Sequence, residues 1–387
     1  MKARTYIHAR YPWRAIVQVG GPAASYYAEL ISQGLKYGLP AKRFGRLGAI
    51  LAIRGTPRSV LALGGRTGTR GAAPEIDRVV DELQARWGDV RARLTSVPDD
   101  PSELFALGLH RSAGLTVFFV DGSGAPVLVA KVPREGNQGI AVEESALKRV
   151  EGIGVAPLLV GSFADVVIQE GVPGEPSALV PLSPDDVCEV PWSAEHRAIA
   201  DALTRLASHS VTLHHADELD PWLDEVDRND DLSRGIRSSV SSAAAAIRGA
   251  GISVLRHGDT SVQNCLTRNG SLAALVDWER AQHRGVPGFD TLNFALAWLD
   301  HSLGLRRWSE SLSFEAFDRA WDSSPLMRSA RAAARAAATA AGLGDSVLDP
   351  MEVTFFARRL GRRLADPDAY ATGSRVAARM LERVCAL

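Results

Sequence analysis

The chain has 387 residues, a formal net charge of −1 and a hydrophobic fraction of 46%. This length allows a large buried core spread over two or three domains or lobes. The balanced charge gives no general attraction for nucleic acid or for an anionic membrane surface. Three scattered cysteines without metal-ligand spacing indicate a reducing compartment, and neither a signal peptide nor a membrane-spanning apolar run is predicted, so we expect a cytoplasmic protein.

The first 99 residues predict an α/β extension of unknown role. Their patterns indicate a helix over 22–37, strands over 47–53 and 59–63, and an amphipathic helix over 76–94. The glycine-rich stretch 64–71 follows a strand, but it lacks a P-loop lysine and no helix begins at its end, so we interpret it as a flexible loop. Turn-forming residues around position 99 predict a boundary there.

The next segment, 100–172, predicts a small antiparallel sheet. Strands over 104–109 and 117–120 flank a loop, and the apolar run 127–130 ends at Lys131, one of only a few lysines in the chain. The helix predicted over 141–150 carries Glu143 on its apolar face. Because a half-buried carboxylate is costly without a partner, we expect Glu143 to pair with Lys131. Glu144 is the alternative partner, although its helical spacing points to Lys148.

The remaining segment, 173–387, predicts a mainly helical domain. A long helix is expected over 194–213, and helices rich in alanine and arginine are expected from 314 onwards. The stretch 217–231 is strongly acidic, which is typical either of a solvated loop or of a surface that attracts a cationic substrate. Arginines among alanines favour an exposed helix face over nucleic-acid contact, because no aromatic residues alternate with them.

The most specific pattern starts at His257-Gly258-Asp259 and continues to Asn264. An Asn269-Gly270 hairpin signal and a second strand follow, and that strand is expected to bring Asp277 back towards Asp259. Phosphoryl transfer needs a carboxylate to orient the attacking hydroxyl and oxygen ligands for magnesium. We therefore predict that Asp259 is the catalytic carboxylate and that Asn264 and Asp277 bind Mg²⁺. His257 is expected to brace the loop.

Two readings stay open for Glu279, which either assists the metal or lies on a solvated turn. A lone His-Gly-Asp is a common turn composition with little specificity. The spacing to Asn264, the hairpin and the Val276-Asp277-Trp278-Glu279 segment are separate conditions, and all of them hold.

Together these motifs resemble the aminoglycoside phosphotransferase and choline kinase family. The similarity lies in H-G-D-x-x-x-x-N-x-L, V-D-W-E and G-x-P-x-x-D, the last ending at Asp290, and it extends over roughly the last three-quarters of the chain. The resemblance implies an α+β, bilobal, protein-kinase-like fold with a small antiparallel-sheet N-lobe and a larger helical C-lobe. It also implies that Asp290 braces the catalytic loop. Residues 261–263 depart from the usual family sequence.

The same resemblance implies a nucleotide site in the 100–172 lobe. Lys131 would reach the phosphates and Glu143 would hold it. The loop Ser112-Ala113-Gly114 would cover the phosphates with backbone amides, although a hairpin glycine is ordinarily a turn residue. The segment 166–175 resembles the inter-lobe hinge, in which Gln169, Glu170 and Val172 would present backbone groups to the base.

The function that follows is a small-molecule kinase transferring the γ-phosphate of ATP or GTP, with Mg²⁺, to a hydroxyl of an aminoglycoside, amino-sugar, sugar or amino alcohol. A kinase-like binding or scaffold module is the alternative. A protein kinase fits less well, because Asp277-Trp278-Glu279 replaces D-F-G and no A-P-E segment follows. No nucleic-acid or membrane partner is expected, and oligomeric state and acceptor identity are left open.

Overall fold

The computed structural model describes residues 6–9, 15–18, 22–23, 25–27, 29–30, 69–71, 73–111, 114–163, 165–180, 182–183, 185–217, 219–303, 310–365 and 367–386. The strands predicted over 47–53 and 59–63 lie outside these residues, as do positions 64–68 of the glycine-rich loop and part of the helix predicted over 22–37. The chain divides into two compact units. Unit 1 comprises Met1–Pro176 with Val276–Glu279, and unit 2 comprises Ser177–Leu275 with Arg280–Leu387.

Unit 1 is built on one antiparallel sheet whose strand order is β3-β1-β2-β4-β5-β6-β8-β7. The three strands from the first 99 residues therefore extend the same sheet as the strands of the 100–172 segment. The strands of this unit are β1 (Tyr6–Ala9), β2 (Ala15–Gln18), β3 (Thr69–Gly71), β4 (Phe105–His110), β5 (Gly114–Val120), β6 (Pro126–Pro133), β7 (Leu159–Phe163), β8 (Val166–Glu170) and the short β9 (Glu175–Pro176).

Two helices cover one face of this sheet. Helix α1 (Pro74–Ala85) and helix α2 (Trp87–Arg93) replace the single helix predicted over 76–94. The helical path breaks at Arg86, where φ is −114° and ψ is 19°. Apolar residues at helical spacing on α1 pack with alternate residues of β4, β5, β6 and β8 in one continuous core. Because strand side chains alternate between faces, the intervening residues, Lys131 among them, belong to the other face.

Helix α3 (Gly139–Val150) follows β6 and carries the predicted Glu143 among its buried residues. The order of two strands, a lysine-bearing strand, a helix and two further strands is the one that the kinase-like resemblance predicts.

Unit 2 is mainly helical, with two small antiparallel ladders. Strand β10 (Val254–Arg256) pairs with β13 (Gln282–Gly285), and β11 (Cys265–Arg268) pairs with β12 (Ser271–Leu275). Its helices are α4 (Ala194–His209), α5 (Asp220–Asp227), α6 (Arg234–Gly249), α7 (Phe289–Ser302), α8 (Glu310–Ser323), α9 (Pro325–Ala340), α10 (Leu348–Leu364) and α11 (Pro367–Cys385). The predicted α+β fold is confirmed.

One helix boundary was predicted wrongly. The helix expected over 194–213 ends at His209, and Leu213 is 83% exposed instead of buried on its apolar face. The chain leaves the helix because Thr212 forms a β-bridge with Ser253 through backbone hydrogen bonds of 2.8 and 3.0 Å. Long-range pairing therefore overrides the local apolar spacing.

The predicted Asn269-Gly270 hairpin is present between β11 and β12. Asn269 has a φ of 54° and Gly270 a φ of 74°, the left-handed conformations that a tight two-residue turn requires. This turn reverses the chain into β12, the strand that ends shortly before Asp277. Among the described helices, none is both long and apolar enough to span a bilayer.

A buried histidine caps helix α4. The Ser193 hydroxyl accepts a hydrogen bond from the His196 N–H at 3.1 Å, and His196 Nδ1 accepts one from the Ser193 N–H at 3.2 Å. The His196 ring also lies edge-on to Trp298, with 4.8 Å between ring centroids. Burial lowers the pKa of His196 to about 4. The imidazole is therefore neutral in the folded protein, with Nδ1 as an acceptor.

Unfolding returns His196 to an ordinary pKa, so the unfolded chain binds a proton that the folded chain excludes between about pH 4 and 6.5. The contribution of His196 to the free energy of unfolding is therefore fully present above about pH 6.5. It is lost as the pH falls from there towards about 4. We expect His196 to account for about 2 kcal/mol of lost stability at pH 5 relative to pH 7.5. Urea unfolding of His196→Gln, which keeps a capping side chain that does not titrate, should show a correspondingly shallower pH dependence.

The control is His209→Gln, at an exposed position in the last turn of the same helix. It should keep the wild-type pH dependence. Equal slopes for wild type and His196→Gln would show that His196 is not held neutral.

Candidate active site

A buried ion cluster surrounds Lys131 in unit 1. Lys131 Nζ donates to Glu143 Oε2 at 2.6 Å and to Asp277 Oδ1 at 2.8 Å. Glu143 is fully buried and Lys131 almost so, whereas about half of the Asp277 side chain is exposed. The pairing of Lys131 with Glu143 is the one that the apolar face of the helix predicted. Glu144 instead binds Lys148 and the Ser162 hydroxyl.

Glu279 joins this cluster. Its Oε1 lies 3.6 Å from Lys131 Nζ, and carboxylate oxygens of Glu143, Asp277 and Glu279 all lie within 4.8 Å of one another. The backbone of Asp277 is left-handed, with a φ of 69°, which is uncommon for a residue with a side chain. Asp277 thereby turns between β12 and the short 3-10 turn Trp278–Arg280. Glu279 thus lies with Glu143 and Asp277 around Lys131, and its assistance to a metal stays a prediction.

The electrostatics of the cluster are unbalanced, because three carboxylates surround one ammonium group. Burial alone would lower the pKa of Lys131, but the adjacent charges of Glu143 and Asp277 outweigh it and raise that pKa above its usual value. Burial and the charge of Asp277 raise the pKa of Glu279 to about 7, against the opposing effect of Lys131. The cluster therefore favours an additional cation.

In unit 2, the loop after β10 contains Gly258 in a conformation that only glycine adopts easily. Its φ is +79°, and a Cβ placed there would lie 2.0 Å from the Arg280 carbonyl oxygen. The glycine of His257-Gly258-Asp259 is therefore required by a close approach of two backbone segments.

Asp290 holds this loop from the first turn of α7. Its carboxylate accepts hydrogen bonds from the His257 N–H at 2.7 Å, from the Gly258 N–H at 3.2 Å and from Arg256 Nη2 at 2.9 Å. The Thr260 hydroxyl donates to the Asp290 carbonyl at 2.8 Å. Burial would raise the pKa of Asp290, but Arg256 and His257 hold it below its usual range.

Asp259 and Asn264 lie at the two ends of the same loop. Asn264 Nδ2 donates to the Asp259 carbonyl at 2.9 Å, and the Asp259 N–H approaches His257 Nδ1 at 3.3 Å. The Asp259 carboxylate is partly exposed and lies 3.8 Å from Arg280 Nη1. The loop thus presents a carboxylate on a braced backbone, with His257 buried beneath it.

The predicted nucleotide-contacting segments are only partly described. Ser112 and Ala113 lie outside the described residues. A Cβ at Gly114 would lie 1.9 Å from the Val132 carbonyl oxygen, so this glycine serves strand packing. The Glu170 N–H donates to the Leu158 carbonyl at 2.8 Å, an ordinary sheet contact.

The acidic stretch 217–231 forms α5 and its flanking loops. Several of its acids pair with arginines, namely Asp217 with Arg284, Asp224 and Glu225 with Arg228, and Asp230 with Arg237. These ion pairs reduce the negative electrostatic field of the stretch. Sequence spacing could not reveal the pair between Asp217 and Arg284, because the two residues are far apart in the chain.

Sequence reasoning missed two features of these sites. Arg256 was overlooked because it ends an apolar strand, yet it supplies the buried counter-charge of Asp290. The side chain of Gln169 was also overlooked, since that residue was considered only for its backbone. A charged or amide residue inside an otherwise apolar strand is the signal that could have found both.

No protein-family model and no curated protein matches the chain. Solved structures similar to it include an ethanolamine kinase from Plasmodium vivax, with 12% identity, coverage of 79% of this chain and 88% of that one, and a TM-score of 0.44. A choline kinase from Cryptosporidium parvum has 11% identity, coverage of 80% and 94%, and a TM-score of 0.42. A macrolide 2'-phosphotransferase from Brachybacterium faecium has 17% identity, coverage of 78% and 98%, and a TM-score of 0.39.

All three neighbours are small-molecule kinases. Aminoglycoside phosphotransferases are also among the similar structures.

The bracing of the loop by Asp290 can be tested directly. Asp290→Asn keeps the side-chain shape but leaves the buried Arg256 without its counter-charge and places an amide against backbone donors. We expect a loss of about 3–5 kcal/mol in the free energy of unfolding, measured by urea denaturation. The control Asp300→Asn, on the same helix α7 but only partly buried, should change stability by less than about 0.5 kcal/mol. Equal, small effects would contradict the assigned role.

Proposed function

We propose that this chain is a small-molecule kinase that transfers the γ-phosphate of ATP or GTP to a hydroxyl of a small acceptor. The observation that carries the proposal is the position of Lys131, a buried ammonium group held between Glu143 and Asp277. A salt bridge that only stabilised the sheet would need one carboxylate, and burial of further acids around it would be unfavourable. Three acids around one lysine are instead suited to a polyphosphate bound with its cation.

Lys131 would contact the phosphates and Glu143 would fix the direction of its Nζ. Because Glu143 is fully buried, it keeps this orientation role in the absence of ligand. In the same unit, the segment Gln169, Glu170 and Val172 would contact the base. The N–H of Val172 donates no hydrogen bond to any residue in the described part of the chain, which suits a role as a donor to the base.

Magnesium is the cation that we propose for this chemistry. Asp277 supplies carboxylate oxygen, the ligand type that magnesium prefers, and Glu279 lies close enough to assist. Asn264 keeps its predicted role as a second magnesium ligand. When bound, the ion neutralises charge on the phosphates. Its presence would also lower the cost of gathering three carboxylates around Lys131.

Asp259 would accept or orient the proton of the acceptor hydroxyl. The partly exposed carboxylate can be reached by a substrate, and the hydrogen bonds from His257, Gly258 and Arg256 to Asp290 hold the backbone that carries it. Positioning of this kind is the main protein contribution to phosphoryl transfer. The acceptor belongs, in our proposal, to the aminoglycosides, amino-sugars, sugars or amino alcohols.

The test is transfer of labelled γ-phosphate from ATP and GTP, with Mg²⁺, to a panel of kanamycin, glucosamine, glucose and choline. We expect wild type to label at least one acceptor and Asp259→Ala to turn over on the order of a hundredfold or more slowly. The control is Asp224→Ala, an exposed acid on α5, which should retain wild-type turnover.

Turnover by Asp259→Ala at the wild-type rate would show that the role assigned to Asp259 is wrong. Nucleotide binding without transfer to any of the acceptors would favour the binding or scaffold module over the kinase.

A further inference from the structure

The side chain of Gln169 is buried without a hydrogen-bond partner. It is only 4% exposed, and its Oε1 atom accepts no hydrogen bond from any residue in the described ranges. Nearly all buried side-chain amides in folded proteins have partners, because an unsatisfied one loses its hydration without compensation. An acceptor shielded from water in this way is suited to receive a hydrogen bond from a donor on a bound ligand.

The sheet register shows which way this amide faces. Gln169 of β8 lies directly opposite Val129 of β6, and Val167 lies directly opposite Lys131. Residues directly opposite in an antiparallel pair share a face, and so do residues two apart along a strand. Gln169 therefore lies on the Lys131 face of the sheet, one side-chain row along. The other face is the one packed by α1 and α2.

The neighbouring backbone supplies a second polar group. The Gly171 N–H is used by the sheet, since it donates to the Val127 carbonyl at 2.8 Å. Two residues from β8, the Val172 N–H donates to none of the described residues. Gln169, on the same sheet as the lysine assigned to the phosphates, and Val172, two residues beyond β8, thus combine a side-chain acceptor and a backbone donor within four residues.

We propose that the side chain of Gln169 selects the nucleotide base, with Oε1 accepting a hydrogen bond from the exocyclic 6-amino group of adenine. This proposal rests on the proposed function. Guanine carries an oxygen at the same position, so Oε1 in this orientation would face a second acceptor instead of a donor. A site with a buried hydrogen-bonding group rejects an analogue that cannot pair with it. The chain is therefore an ATP-selective enzyme.

The test compares the dissociation constants of Mg²⁺ complexes of ATP, GTP and purine riboside triphosphate, which differs from ATP only by lacking the 6-amino group. For wild type we expect ATP to bind roughly tenfold or more tightly than either analogue. In Gln169→Met, an apolar replacement of similar length, the preference for ATP over purine riboside triphosphate should fall by roughly tenfold. The matched control Gln84→Met, the same chemical change on helix α1, should keep the wild-type ratios.

The thermal stability of Gln169→Met provides a second test of the proposal. Because Gln169 Oε1 accepts no hydrogen bond within the described part of the chain, Gln169→Met should unfold at the same temperature as wild type or higher. A clear loss of stability would show that the amide is part of the protein's own hydrogen bonding and would overturn the proposal.

The two proposals fail in different ways. Binding of all three nucleotides with equal affinity, unchanged in Gln169→Met, would overturn base selection and leave the kinase assignment intact. A preference for GTP that Gln169→Met abolishes would also overturn it, since the amide would then act as a donor. Failure of all three nucleotides to bind would overturn the proposed function and this inference together.

Discussion

A buried ammonium group must be paired, and in unit 1 this requirement joins three segments that are far apart in the chain. Lys131 on β6 contacts Glu143 on α3 and Asp277 beyond β12, a separation of 146 residues. Removing Lys131 would leave the buried carboxylate of Glu143 without its counter-charge, which typically costs several kcal/mol. One nitrogen atom therefore connects a strand, a helix and the segment Val276–Glu279 within unit 1.

The features assigned to function include polar groups whose interactions the described residues leave incomplete. Carboxylates outnumber the lysine that they surround, the pKa of Glu279 is raised to about 7, and Oε1 of the buried Gln169 accepts no hydrogen bond from the residues that the structure describes. Natural sequences tolerate such local conflicts mainly at functional sites. The loop that carries Asp259 is the opposite case, because the Asp290 carboxylate accepts hydrogen bonds from the His257 N–H, the Gly258 N–H and Arg256 Nη2. In our account, the Lys131 cluster carries interactions that a ligand would complete, and the contacts of Asp290 support the loop that carries Asp259.

Sequence alone could predict what depends on local chemistry. The turn at Asn269 and the pairing of Lys131 with Glu143 follow from left-handed backbone, helical periodicity and the cost of an unpaired charge. It could not predict what depends on distant pairing. Helix α4 ends early because residue 212 bridges to residue 253, and the strands of the first 99 residues join the main sheet through contacts that no local pattern encodes.

The most direct test of the Lys131 cluster as a nucleotide site is thermal unfolding with and without Mg²⁺ and nucleotide, for wild type and Asp277→Asn. A ligand at a hundred times its dissociation constant should stabilise the folded state by about 2.7 kcal/mol. Our account predicts that wild type gains this stabilisation only when magnesium is present and that Asp277→Asn loses most of it, each protein being compared with itself without ligand. An equal gain in both proteins, or no gain in wild type with either ATP or GTP, would contradict the account.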